Sequence, residues 1–175
     1  SSNTNARTLN LGSSTVTLTA VGTSWNIIDP TNMTLNAGTS TIATTGSAAA
    51  ITFAGGGLTY YNVTFGATYY NNVLSGANTF NNLTVASPAA AGLRNINISN
   101  NQIITGTLTM VGSAANSRPR ITGVTGGTTI TAAAVSLSDA DFSNITAAGA
   151  AIPWTGTRLG NVGGNTNITF ATPKT

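Results

Sequence analysis

Two carboxylates stand close enough in this chain to act together. Asp139-Ala140-Asp141 places them at i and i+2, on one face if the segment is a strand. Three readings are open. They could be an acid and base pair, as in sugar-cleaving enzymes built on β-helices. With Ser138 and Asn144 they could hold Ca²⁺, a hard cation that prefers oxygen ligands. Or they form a polar turn after Leu137, which asks least of the chain and is preferred. The one other acid is Asp29.

Other chemistry is thin. The chain has no Glu, His or Cys, so neither a His-based triad nor a thiol nucleophile can be assembled, and the usual zinc ligands are missing. Gly160-Asn161-Val162-Gly163-Gly164 is glycine-rich, but no Gly-Lys-Ser/Thr follows, so a phosphate-binding loop is not expected. Arg118-Pro119-Arg120 is the densest positive spot. It suits an anionic glycan or a partner, and reads first as a solvated loop. No catalytic, cofactor-binding or metal residue is assigned. The chain is expected not to be an enzyme and to need no cofactor.

Six Asn-x-Ser/Thr sequons, at Asn32, Asn62, Asn82, Asn97, Asn144 and Asn167, would accept glycans in a secreted protein. The same pattern arises where a corner precedes a strand. Tyr60, Tyr61, Phe65, Tyr69 and Tyr70 crowd a short stretch. They suit core and ladder packing, with a sugar-stacking strip as the sharper alternative.

The elements that would carry these residues are strands. Apolar-polar-apolar triplets recur, among them Val16-Thr17-Leu18, Val63-Thr64-Phe65, Leu83-Thr84-Val85, Leu108-Thr109-Met110 and Ile145-Thr146-Ala147. Each puts two apolar side chains on one face and a polar one on the other. No long segment shows a helical period with caps. Clusters such as Gly55-Gly56-Gly57, Ser75 to Asn78, Asn100-Asn101, Gly123 to Gly127 and Gly160 to Gly164 read as turns. The Ala-rich tracts Ser47 to Ala50 and Pro88 to Ala91 read as loops.

One repeat organises the strands. Thr59-Tyr60-Tyr61-Asn62-Val63-Thr64-Phe65 returns twenty residues on as Thr79-Phe80-Asn81-Asn82-Leu83-Thr84-Val85, and more loosely as Asp141-Phe142-Ser143-Asn144-Ile145-Thr146-Ala147. Tyr60 and Val63, Phe80 and Leu83, and Phe142 and Ile145 are three apart, so a flat strand cannot point both inward. A corner at Asn62, Asn82 or Asn144 resets the parity, and asparagines on successive coils can form a ladder. The expectation is an all-β parallel β-solenoid with strands of three to five residues and about 20 residues per coil. That gives roughly eight coils over roughly 40 Å. The alternative, an antiparallel β-sandwich, favours longer strands and tight Asn-Gly turns, and no Asn-Gly occurs. Residues 1–150 are expected to be solenoid. Residues 151–175 lose the repeat and are expected to be a cap, an interface or the lead into a further region.

Composition bounds the setting. Charged residues are 5% of 175 and hydrophobic residues 41%, so the chain is not of the disordered, highly charged kind. The net charge of +3 comes from scattered bases, unlike the clustered footprint of a nucleic-acid binder. With no Cys, no disulfide holds the fold. The scarcity of reactive side chains suits exposure outside a cell. No apolar run approaches the roughly 18 residues of a membrane span. The polar start Ser1 to Asn5 shows no signal peptide, which leaves a cleaved one open. Neither terminus carries an evident charged cap, so the ends are expected to be covered by another domain, a partner or the next copy.

The tract Ile152 to Phe170 followed by Pro173-Lys174-Thr175 resembles a segment of large repetitive proteins encoded by tailed phages and environmental viral sequences. Phe80 to Val85 is similar to repeats of the same group and of bacterial surface adhesins. In those relatives further strand-rich sequence usually follows, which implies a piece of a longer protein. The resemblance implies a β-helical virion structural or fibre protein and identifies no functional residue. The expected function is structural: a stiff scaffold in a phage fibre, tail appendage or capsid decoration, at the virion surface or otherwise extracellular. Its expected partners are copies of itself (trimer or polymer), other virion proteins and host-surface glycans, without nucleic acid or a membrane span. The alternative is a bacterial or archaeal adhesin or self-assembling filament subunit.

Overall fold

The computed structural model of the chain describes residues 5–45, 50–66, 72–88 and 92–171. Tyr69, Tyr70, Pro173, Lys174 and most of the first two Ala-rich tracts lie outside the described residues. The fold is an all-β solenoid. β1 (Arg7–Asn10) runs parallel to β4 (Met33–Asn36). Sheet I stacks seven parallel strands in the order of the chain: β2 (Thr15–Leu18), β5 (Thr41–Thr44), β7 (Thr59–Phe65), β9 (Thr79–Ala86), β11 (Gln102–Val111), β13 (Thr128–Ser138) and β15 (Ile145–Ala148). Sheet II stacks β3 (Gly22–Asn26), β6 (Ile51–Ala54), β8 (Asn72–Ser75), β10 (Gly92–Ile98), β12 (Ser117–Gly123), β14 (Asp141–Ser143) and β16 (Gly160–Gly163). Within each seven-stranded sheet every inner strand pairs with the strands of the coils before and after it, and every pairing between named strands is parallel. This excludes the antiparallel sandwich.

Three expectations change in detail. The coil is not fixed at 20 residues. Val63 pairs Leu83, but Leu83 pairs Leu108 and Leu108 pairs Val135, so the middle coils need about 25. Seven rungs at about 4.8 Å give a rod of roughly 30 Å, shorter than eight coils would. Strands also outlast the expected three to five residues: β11 has 10 and β13 has 11. They run on through the parity change, so a bend does not end the ladder. Finally, one turn becomes a strand. Gly160–Gly163, expected as a turn, forms β16 against β14, and Thr166 bridges Thr146.

The interior is a column of inward side chains. Trp25 stacks on Phe53 with centroids 5.9 Å apart. Tyr60 stacks on Phe80 at 5.9 Å. Leu83, Leu108, Ile121 and Ile130 continue the column, and Phe142 meets Trp154 at 6.0 Å. Rung 1 is only partly buried at Val16, Leu18 and Trp25. From Ile42 onward the inward positions are almost fully enclosed.

Candidate functional site

The carboxylate pair lies where β13 passes into β14. Asp139 adopts a left-handed backbone, φ 48°, which an Asp tolerates through local hydrogen bonding. That twist turns both carboxylates toward two arginines. Arg158 reaches Asp139 through Nε at 2.6 Å and Nη2 at 2.5 Å, the two-pronged geometry of a guanidinium on a carboxylate. Arg118 donates to Asp141 Oδ1 through Nε at 2.8 Å and Nη2 at 2.6 Å, and its Nη1 lies 3.4 Å from Asp139 Oδ1. The Arg118 Nη2 also donates to the Arg158 carbonyl at 2.7 Å. The hydrogen bond from Arg158 holds the Asp139 carboxyl below its usual range; burial opposes this, and the charges of Arg158 and Arg118 reinforce it.

This arrangement bears on each reading of the pair. A general acid at neutral pH needs a raised carboxyl, and Asp139 is shifted the other way. A cation would compete with two guanidinium groups for the same oxygens, and no grouping of three or more metal-binding side chains occurs among the described residues. The cluster instead ties the segment carrying Arg158 to the two preceding coils. The Arg118-Pro119-Arg120 loop is corrected to a strand: all three lie in β12. Pro119 is accommodated because the pairing of β14 with β12 begins only at Arg120, beyond the missing N–H.

The corner motif takes two forms. Tyr60, Val63, Phe80, Leu83, Phe142 and Ile145 are all buried. Asn62 and Asn82 face outward within continuous strands, stacked by register. Asn82 Nδ2 donates to Asn62 Oδ1 at 3.0 Å, and Asn62 Nδ2 to Thr41 Oγ1 at 3.3 Å. The Thr107 N–H closes the ladder on Asn82 Oδ1 at 2.9 Å. β11 carries one extra residue at this level, and Gly106 lets it pass: a Cβ there would lie 2.6 Å from the Asn81 carbonyl oxygen. Asn144, by contrast, has φ 55° and separates β14 of sheet II from β15 of sheet I.

The aromatic strip resolves into core at Tyr60 and Phe65, which are buried, while Tyr61 is half-buried. The Tyr60 hydroxyl donates to the Gly55 carbonyl at 2.7 Å and accepts from Trp25 Nε1 at 3.0 Å. Burial pushes its pKa up to about 12. Of the sequons, Asn32 and Asn167 are exposed and the other four half-buried.

Arg94 was not singled out by the sequence, although it stands in phase with the apolar Ile96 and Ile98. It points inward, is 1% exposed, and donates to the carbonyls of Ala86 at 3.1 Å and Gly66. Desolvation lowers its pKa to about 10. An open, shallow depression on the outside of sheet II is lined by Val73, Asn97, Thr122 and Val124, with Asn97 and Thr122 fixed through Asn95. No protein-family model, curated protein or solved structure matches the chain.

Proposed function

We propose that the chain is a non-enzymatic structural module, a stiff β-solenoid scaffold in a phage virion appendage or capsid decoration at the virion surface. One observation carries the scaffold reading: two seven-stranded parallel ladders run the length of the described coils. Each coil's backbone groups are thereby tied to the next, so load along or across the rod is shared by many hydrogen bonds. The ion pairs support the same reading, because they spend the carboxylate pair on holding coils together. The virion assignment rests on the resemblance of the Ile152 to Phe170 tract. The reading includes self-association and contact with other virion proteins, and with host glycans through a surface of hydroxyls and amides.

Immunogold electron microscopy of the native source tests the assignment. Label on virion appendages supports it; label on cell surfaces or free filaments replaces it with the adhesin or filament alternative. Release of oligosaccharide from a glycan substrate, lost in Asp139→Asn, would overturn the non-enzymatic part.

A further inference from the structure

The outer face of sheet I carries two columns of small, uncharged side chains, one in unbroken register and the other interrupted by the bulge in β11. One column runs Thr17, Ala43, Thr64, Thr84, Thr109, Ser136 over six successive strands. Two residues earlier in each strand stands the other: Thr15, Thr41, Asn62, Asn82, Thr107, Ala134. Neighbours lie about 4.8 Å apart between rungs and about 6.7 Å apart along a strand. No charged or aromatic side chain stands in either column. The Asn82–Asn62–Thr41 ladder fixes the second column. In the first, Thr64, Thr84 and Thr109 face outward and are half-buried, and the β-branch restricts each to few rotamers. Sheet II differs: its outer face carries Arg118, Arg120 and the ion pairs.

A rigid, uncharged lattice of this kind suits a partner that is itself periodic. Each hydroxyl both donates and accepts, as water does. Nucleic acid would need positive charge here, and sugar rings favour aromatic platforms; the two columns carry neither. The two repeats lie close to those of the prism face of hexagonal ice. We propose that the outer face of sheet I binds ordered water, and through it the surface of ice. The inference does not depend on which assembly carries the module.

The test uses the 175-residue chain, with ice-affinity partitioning and thermal hysteresis as readouts. The intact chain is expected to enter a growing ice front and to shape ice crystals. Thr84→Lys and Thr64→Tyr, which project outward and leave the core untouched, should cut partitioning roughly ten-fold. Thr122→Lys, on the outer face of sheet II, should leave it unchanged, with circular dichroism confirming that all variants fold. Absence of ice shaping by the intact chain overturns the proposal, as does equal loss in all three variants. A face-to-face dimer abolished by Thr84→Lys would also overturn it, because a second copy would then occupy the lattice.

Discussion

The same seven-residue phrase builds two different corners. At Tyr60-Asn62-Val63 and Phe80-Asn82-Leu83 it bends a single strand of sheet I, and the asparagines stack outside in an amide ladder. At Phe142-Asn144-Ile145 it breaks the chain between sheets: Phe142 pairs Ile121 in sheet II, and Ile145 pairs Thr128 in sheet I. The first region is held by aromatic stacking and neutral amides. The second is held by ion pairs and by a left-handed asparagine. A local pattern of inward aromatic, asparagine and inward aliphatic therefore says that the chain bends. Where on the coil the bend falls depends on the residues between the copies. The insertion around Thr105-Gly106 lengthens one coil, and only 17 residues separate Ile130 from its partner Ala147.

The largest effects should fall on the aromatics shared by both corners. Phe80→Ala and Phe142→Ala each remove a fully buried ring and should cost about 3–5 kcal/mol in denaturant unfolding. A much smaller loss at Phe142 would show that the second corner does not depend on its core. Next comes Tyr60→Phe, which strips the partner from Trp25 Nε1 and the Gly55 carbonyl and should cost about 1–3 kcal/mol at pH 7. Because the folded pKa of Tyr60 lies above the ordinary value of about 10, the folded state keeps its proton where the unfolded state has lost it. Its contribution is full below about pH 10 and fades as pH rises toward about 12. Unfolding curves between those values should fall more steeply for the native chain than for Tyr60→Phe.

The asparagines should then separate the corners cleanly. Asn82→Ala removes the ladder's middle and should cost about 1–2 kcal/mol. Asn144→Gly should be neutral or stabilise by up to about 1 kcal/mol, since glycine takes φ 55° without strain. Comparable losses at both sites would erase the distinction. The smallest difference is in acid. Asp139 has a folded pKa below its unfolded one, so its contribution is complete above about pH 4 and is lost as pH falls through the lowered value. Asp139→Asn should lower Tm more at pH 7 than at pH 2. Asn82→Ala should shift Tm equally at both.

The sequence made the solenoid legible because inward and outward positions alternate in nearly every strand, and because Tyr60 and Val63 break that alternation together. It did not make the coil length legible. Most of the added length lies between the strands, since Ile103 already stands 24 residues after its partner Thr79, and the bulge at Gly106 adds one more. The second corner's fastening was hidden for another reason: Asp139 and Arg158 are far enough apart in sequence that only the stacked coils bring them together. Arg94 is a further case, since its charge argues for an outward side chain although it shares the phase of Ile96 and Ile98, and it is buried with them.

The chain's two indoles sit at opposite ends of the rod. Trp25 lies half-buried on the first coils, its nitrogen bonded to Tyr60. Trp154 is sealed under the last coil, and its nitrogen has no hydrogen-bond partner. An apolar, unbonded indole emits at shorter wavelength than a hydrated, bonded one, so each end carries its own optical reporter. Solenoids exchange stability mainly between neighbouring coils. The ratio of the two emission components during unfolding therefore records the end from which the rod comes apart.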